Sequence, residues 1–149
     1  MTKRPTTIRQ NETLAFRMVT HVTSAHSLDV GDVEGHTASL TRFSGLAFLP
    51  DDTVATVYFA SLADYVNGAG TFTLFPILAF DDGSVLWIRS TGTGTVEGAR
   101  TRFVGTLAVI GGEGRFRGAK GDGTLTGMRY TPLSVGADLV SDYIVNLTR

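Results

Sequence analysis

The sequence feature that most constrains the fold is a glycine-rich stretch at residues 111–121, which reads GGEGRFRGAKG. Five of its eleven residues are glycine, so the backbone can adopt positive φ angles that other residues avoid. Phe116 is its only large apolar side chain, and we expect it to pack into a core. The flanking segments 102–110 and 123–130 both have strand-like composition. The stretch is therefore predicted to be a wide hairpin connection with a buried aromatic tip.

The whole chain reads as a series of strands separated by short turn-forming segments, with no helical period of useful length. Short connections make neighbouring strands antiparallel, and eight strands can close a barrel around side chains or one small ligand. We predict an all-β fold, a single antiparallel eight-stranded closed barrel over residues 13–149 after a flexible tail at 1–12. A two-sheet sandwich is the alternative. The predicted strands are Leu14–Ser27, His36–Leu49, Val54–Asp64, Thr71–Phe80, Val85–Thr95, Arg100–Ile110, Asp122–Thr131 and Asp138–Thr148.

The composition argues against several classes of function. The formal net charge is −1 and charged residues make up 18% of the chain, so no basic footprint for nucleic acid or an anionic membrane is present. The absence of cysteine excludes disulfides and thiolate chemistry. No apolar segment has the length of a signal peptide core or a membrane span. We expect a soluble cytoplasmic protein with no nucleic-acid or membrane partner.

The residues that could carry chemistry do not form a familiar catalytic motif. The sequence contains neither GxSxG nor HExxH, and its three histidines are not spaced as metal ligands, so neither a metal nor another cofactor is expected. Polar residues within apolar strands are better candidates, because an apolar binding site needs a few polar groups. On that basis His21, Tyr58 and Arg89 are predicted to supply acid–base or oxyanion help.

Aromatic side chains of the predicted strands are the candidates for substrate binding. Trp87 shares a strand face with Arg89 and could stack on a flat substrate. In the alternative interpretation, Arg89 extends outward over Trp87 and the Tyr58 hydroxyl reaches the barrel rim. The strand period alone does not decide which face points inward. The predicted substrate-binding residues are Phe59, Phe75, Trp87 and Tyr143.

The predicted strand Thr71–Phe80 is apolar on both faces, whereas a barrel strand needs only one buried face. The second face is expected to meet another subunit. The sequence therefore predicts a homo-oligomer, a dimer or trimer, with either Phe75 and Ile77 or Phe72 and Leu74 in the contact.

The glycine-rich hairpin also carries a family resemblance. The pattern GGxGxFxxAxG between two strands resembles the hairpin of the dirigent proteins and the allene oxide cyclases. Residues 64–72, DYVNGAGTF, are similar to a dirigent Tyr-Asn-Gly-Ser-Thr loop, and residues 137–147 resemble the last dirigent strand with its acid–Tyr pair. The resemblance implies a small calycin-like eight-stranded barrel and assembly as a dimer or trimer. It also places Lys120 where dirigent proteins have an arginine thought to act on the substrate.

Together these observations predict a cofactor-independent cyclase, isomerase or lyase that acts on a small apolar or phenolic molecule inside the barrel. Apolar walls would restrict the substrate conformation and so supply much of the rate gain. Two alternatives remain open, a non-catalytic protein that binds a hydrophobic small molecule and an oligomeric structural domain with a filled barrel. A filled barrel predicts only large apolar inward residues, whereas an enzyme predicts a cavity with converging polar groups.

Overall fold

The computed structural model describes residues 11–148, which form nine strands and two single-turn 3₁₀ segments. No helix in that range is long and apolar enough to cross a membrane. The strands are β1 (Asn11–Asp29), β2 (His36–Phe48), β3 (Val54–Val66), β4 (Ala69–Leu74), β5 (Ile77–Ala79), β6 (Val85–Glu97), β7 (Arg100–Glu113), β8 (Lys120–Arg129) and β9 (Asp138–Thr148).

The strands form one closed antiparallel sheet. β1 pairs with both β2 and β9, and the ladder continues through β8, β7 and β6 to β4 and β3. β3 also pairs with β2, which closes the barrel. β4 and β5 share one position between β3 and β6, so nine strands make an eight-position barrel. The predicted closed barrel is confirmed, and the sandwich alternative is wrong.

The one predicted strand that the structure divides is Thr71–Phe80, which becomes β4 and β5. Proline has no N–H to donate to a ladder, so Pro76 interrupts the strand. The chain stays in register across the break, because Leu74 pairs with Ser61 and Ile77 with Tyr58 on the same β3. The Pro76 carbonyl still accepts a hydrogen bond from the Ile88 N–H at 2.9 Å. The break therefore costs little pairing.

The first strand is longer than predicted at both ends. β1 begins at Asn11 and pairs with β9 up to His21, while its later part pairs with β2 as far as Asp29. Two residues of the predicted tail, Asn11 and Glu12, thus belong to the barrel. The rest of that predicted tail, residues 1–10, lies outside the described residues.

The glycine-rich stretch closes one end of the barrel, here called the hairpin end. It joins β7 to β8, as predicted, and Phe116 is only 2% exposed. The Phe116 ring packs on Phe80 with a centroid distance of 5.2 Å, and the Arg115 guanidinium lies over both rings. A Cβ at position 112 would lie 2.7 Å from the Phe116 Cβ, so glycine is required there for the ring to seat. The predicted aromatic anchor is confirmed.

Removal of this anchor should destabilise the whole barrel. We expect Phe116→Ala to lower the free energy of unfolding by about 3–5 kcal/mol, the usual cost of emptying a buried aromatic site. The matched control is Phe48→Ala at the same end, where the ring is 45% exposed. Urea denaturation of both variants measures the difference. A loss of less than about 1 kcal/mol for Phe116→Ala would contradict the anchoring role.

Candidate functional site

The barrel interior is open at the end opposite the glycine-rich hairpin. This open end is formed by the connections 30–35, 67–68, 98–99 and 130–137. An inner cavity of about 30 Å³ lies beneath it, room for a water molecule or two. Its lining is mainly apolar with a few polar side chains: Thr41, Phe43, Ser61, Ala63, Tyr65, Phe72, Leu74, Phe103, Leu125, Arg129, Leu133, Leu139 and Ser141.

A larger vestibule of about 360 Å³ lies at the same end. That volume falls in the range of small-molecule sites, about 300–1,000 Å³. Tyr65, Arg129 and Leu133 line both the vestibule and the inner cavity, so these three side chains form the boundary between them. The other vestibule residues are Ser27, Thr37, Ser39, Gly68, Val96, Gly98, Ala99, Arg100, Thr101 and Pro132.

Arg129 is the most unusual residue of this boundary, because its charged side chain is 7% exposed. Its Nε donates to the Thr131 carbonyl oxygen at 3.1 Å and its Nη2 to the Thr101 hydroxyl at 3.3 Å. The guanidinium lies 5.5 Å from the centre of the Phe103 ring. Burial lowers the pKa of Arg129, and the charge interaction with Tyr65 acts in the opposite direction. An arginine nevertheless stays protonated in proteins.

No carboxylate compensates this charge within residues 11–148. Each ion pair found there involves another cation: Arg17, His36, Arg102 or Arg115. A buried charge without a counterion costs free energy even when neutral groups hydrogen-bond to it. Arg129 is therefore a group that stability alone would not select.

Tyr65 is the second polar group of the boundary. Burial raises the pKa of its hydroxyl to about 12, while the nearby Arg129 charge acts to lower it. The hydroxyl is therefore protonated at neutral pH and can donate a hydrogen bond. A Cβ at position 94 would lie 3.1 Å from this hydroxyl oxygen, so Gly94 leaves room for it.

The remaining polar groups of the inner cavity are the hydroxyls of Thr41, Ser61 and Ser141. Among residues 11–148, neither the inner cavity nor the vestibule has an aspartate, glutamate, histidine or lysine in its lining. These two spaces therefore offer hydrogen-bond donors and apolar walls, but no side chain whose ordinary pKa suits a general base near neutral pH.

One histidine at the open end is held by two carboxylates and lines neither the inner cavity nor the vestibule. His36 contacts Asp32 through Nδ1 and Asp64 through Nε2, both at 2.6 Å. The hydrogen bond with Asp32, and then that with Asp64, raise the pKa of His36 above its ordinary value. No group of three or more potential metal ligands is arranged to hold an ion within residues 11–148.

The three predicted catalytic residues, His21, Tyr58 and Arg89, do not line the interior. All three are exposed on the outer surface, and Tyr58 is 45% exposed. The outward direction of Tyr58 follows from the alternation of side chains along a strand, because its neighbours Val57 and Phe59 both point inward. The expected interior placement of these residues is therefore wrong.

The four predicted substrate-binding residues are divided between the two faces. Phe59 and Tyr143 point inward but contribute to neither the inner cavity nor the vestibule. The Tyr143 hydroxyl lies 3.4 Å from that of Ser90, and burial raises its pKa to about 12. Trp87 is half-buried on the outer face, and Phe75 is exposed at the β4–β5 break. The structure does not bring the seven predicted residues together.

Sequence reasoning missed Arg129 and Tyr65. The one sequence signal for Arg129 is its spacing: Arg129 lies four residues after Leu125 on β8, and residues at that spacing share a strand face. The opposite face of β8 carries Met128, so alternation alone does not single out either face. Lys120, which the resemblance pointed to, is exposed at the start of β8, at the hairpin end.

Comparisons with known proteins support the fold. No protein-family model and no curated protein matches the chain. A pterocarpan synthase dirigent protein is similar in structure, with a TM-score of 0.56, 17% identity and coverage of 95% of this chain and 91% of that one. A second such protein has a TM-score of 0.52, 16% identity and coverage of 95% of both chains.

A further similar structure is a conserved protein of unknown function from Rhodopseudomonas palustris. Its TM-score is 0.60 and its identity 12%, over 93% of this chain and 98% of that one. The chain thus has the same β-barrel fold as the dirigent proteins.

If Arg129 serves a ligand rather than the fold, its replacement should be tolerated. We expect Arg129→Met to change the free energy of unfolding by less than about 1 kcal/mol or to raise it, because the lost hydrogen bonds are offset by removal of an uncompensated buried charge. Urea denaturation is the measurement. A loss of more than about 3 kcal/mol would show instead that Arg129 is structural.

Proposed function

We propose that this protein binds a small apolar or phenolic molecule at the open end of the barrel and promotes a ring closure, isomerisation or elimination of it without a cofactor. The observation that carries the proposal is the buried Arg129, which has no carboxylate partner among the described residues and lies between an apolar cavity and a ligand-sized vestibule. A group of this kind is stabilised when a ligand oxygen meets it.

The chemical contribution of such a site is positioning and hydrogen bonding. Arg129 and the protonated Tyr65 hydroxyl both face the boundary, so both can donate to one ligand oxygen and stabilise negative charge that develops there. The apolar vestibule residues Val96, Pro132 and Leu133 would limit the conformations of the bound molecule. Two structurally similar proteins are pterocarpan synthase dirigent proteins, which agrees with synthase chemistry in such a barrel.

The second candidate function is binding without turnover. It is favoured by the described lining residues of the two spaces, which include no carboxylate or imidazole to move a proton. The two functions differ in what happens to bound phenols: an enzyme converts the phenol to a cyclised, isomerised or elimination product, and a binding protein returns the phenol unchanged. Chromatography and mass spectrometry after incubation with each phenol that binds separate the two functions.

Binding at the open end can be tested with 2-naphthol, a neutral phenol. We expect it to shift the methyl NMR signals of Val96 and Leu133, which line the vestibule. Ser39→Phe places a ring in the vestibule and should weaken binding at least about tenfold, or about 1.4 kcal/mol. The control is Leu40→Phe, one residue away and pointing outward. Equal affinity of the Ser39→Phe variant and the parent would contradict the site.

We also propose that copies of the chain meet through the outer faces of β2, β3, β5 and β6. An outer patch there consists of Leu46, Phe48, Val54, Tyr58, Ile77 and Trp87. Its centre is continuous across strands, because Ile77 pairs with Tyr58 on one side and Trp87 on the other. Of the two predicted contact sets, Phe72 and Leu74 are buried inside the barrel, which leaves Phe75 and Ile77.

Light scattering tests this assembly. At high micromolar concentration the protein should have two or three times the chain mass of 15.9 kDa. Tyr58→Glu should lower that mass, since a charge within an apolar contact is costly. Thr106→Glu, on an exposed part of β7 outside the patch, should leave it unchanged. A monomeric parent protein would rule out the proposed contact.

A further inference from the structure

We propose that the open-end site selects ligands that carry a carboxylate, which Arg129 receives at the boundary between the vestibule and the inner cavity. The inference rests on the proposed function and names the ligand class more narrowly than "apolar or phenolic". The expected ligand is a small aromatic or aliphatic carboxylate whose apolar part lies against the apolar walls of the vestibule.

The charge distribution at the open end is the first argument. In the part of the chain that the structure describes, the vestibule is lined by two arginines, Arg100 and Arg129, and by no aspartate or glutamate. Arg100 lies with its guanidinium 5.3 Å from the centre of the Tyr130 ring. Glu97 is already engaged by Arg102, whose Nε donates to it at 2.9 Å. Because the whole chain has a net charge of −1, this cationic vestibule is a local feature.

The hydrogen bonds of Arg129 are the second argument. Its Nε and Nη2 are used by the Thr131 carbonyl and the Thr101 hydroxyl, both neutral acceptors. Its Nη1 makes no hydrogen bond to another described residue, and this atom is not fully buried. Nη1 therefore keeps accessible surface, and Arg129 lines both the vestibule and the inner cavity. A guanidinium with free N–H groups on one edge matches the oxygens of a carboxylate.

The low polarity around the guanidinium is the third argument, and it separates a carboxylate from a neutral oxygen. Phe103 lies against Arg129, and the inner cavity behind it is mainly apolar. In such surroundings a neutral ligand leaves the arginine charge uncompensated, whereas an anion compensates it. A phenol has an ordinary pKa near 10, by analogy with tyrosine, and would arrive neutral. A carboxylate arrives ionised.

The apolar walls argue against an inorganic anion as the natural ligand. The vestibule contains Val96, Pro132 and Leu133 beside its two arginines. A fully hydrated ion would leave this surface uncovered, whereas an organic carboxylate buries it and meets the arginine at the same time. The site therefore fits one molecule that carries both a carboxylate and an apolar part.

The test compares three probes of similar shape by isothermal titration calorimetry with the full chain: 2-naphthoate, the neutral 2-naphthamide and 2-naphthol. We expect 2-naphthoate to bind about 10–100-fold more tightly than 2-naphthamide, the usual ratio for a hydrogen bond to a charged group. Arg129→Met should abolish this preference, because it lowers the affinity for 2-naphthoate far more than the affinity for 2-naphthamide. Arg129→Lys keeps the positive charge but loses the planar pair of N–H donors, so it should retain part of the preference for 2-naphthoate.

The outcomes separate this inference from the proposed function. Equal affinities for 2-naphthoate and 2-naphthamide, or a preference that survives Arg129→Met, would overturn the carboxylate assignment and leave binding at the open end intact. Failure of all three probes to bind would contradict both. Arg100→Met is the matched control for general positive charge, and a loss of preference in that variant equal to the loss in Arg129→Met would also count against Arg129 as the receiving group.

Discussion

Closure of the sheet is the constraint on which the rest of this structure depends. Once β2 pairs with β3, every strand has one face turned inward, and eight positions enclose a space about wide enough to be filled by side chains. At the hairpin end that space is filled, because Phe116 and Phe80 pack together under the glycine-rich connection. At the open end smaller residues such as Thr41, Ser61 and Ser141 take the inward positions, and room remains.

The open end combines this room with a buried charge that has no carboxylate partner among the described residues. Four of the ion pairs on the outside of the barrel engage an arginine or a histidine with a nearby carboxylate at 2.6–2.9 Å, and a fifth joins Arg115 to Asp82 at 3.2 Å. Arg129 is more deeply buried and has only neutral acceptors. The simplest physical reason for such a group is a ligand that binds reversibly. A permanent structural role would favour a carboxylate partner from the protein itself, or an apolar side chain in place of the arginine.

Local signals in the sequence were enough for the fold. The glycine-rich stretch determined a hairpin with Phe116 as its anchor, because the backbone geometry and the single large side chain leave few alternatives. Regular turns defined the strand order, and Pro76 produced the one break that the strand prediction missed. These features depend on neighbours in sequence, so they can be read without the three-dimensional structure.

The site could not be read in the same way, because it depends on which face of each strand points inward. On β3 the outer face carries Val54, Tyr58 and Leu62, which are as apolar as the inner Val57 and Phe59. A period of two therefore has no preferred phase, and the pattern fits Tyr58 on either the inner or the outer face. Only the register of the closed ladder determines the phase, and that register depends on pairs far apart in sequence.

The central claim is that the Arg129 guanidinium is the group that meets the ligand, and ¹⁵N NMR of the arginine side chains tests it most directly. On addition of 2-naphthoate the Arg129 signals should shift, with its Nη groups rotating more slowly as they engage the carboxylate. Arg17, already held by Asp142 through bonds of 2.8 and 3.1 Å, should show no change and serves as the internal reference. Saturation of the protein with 2-naphthoate without any change at Arg129 would contradict the account.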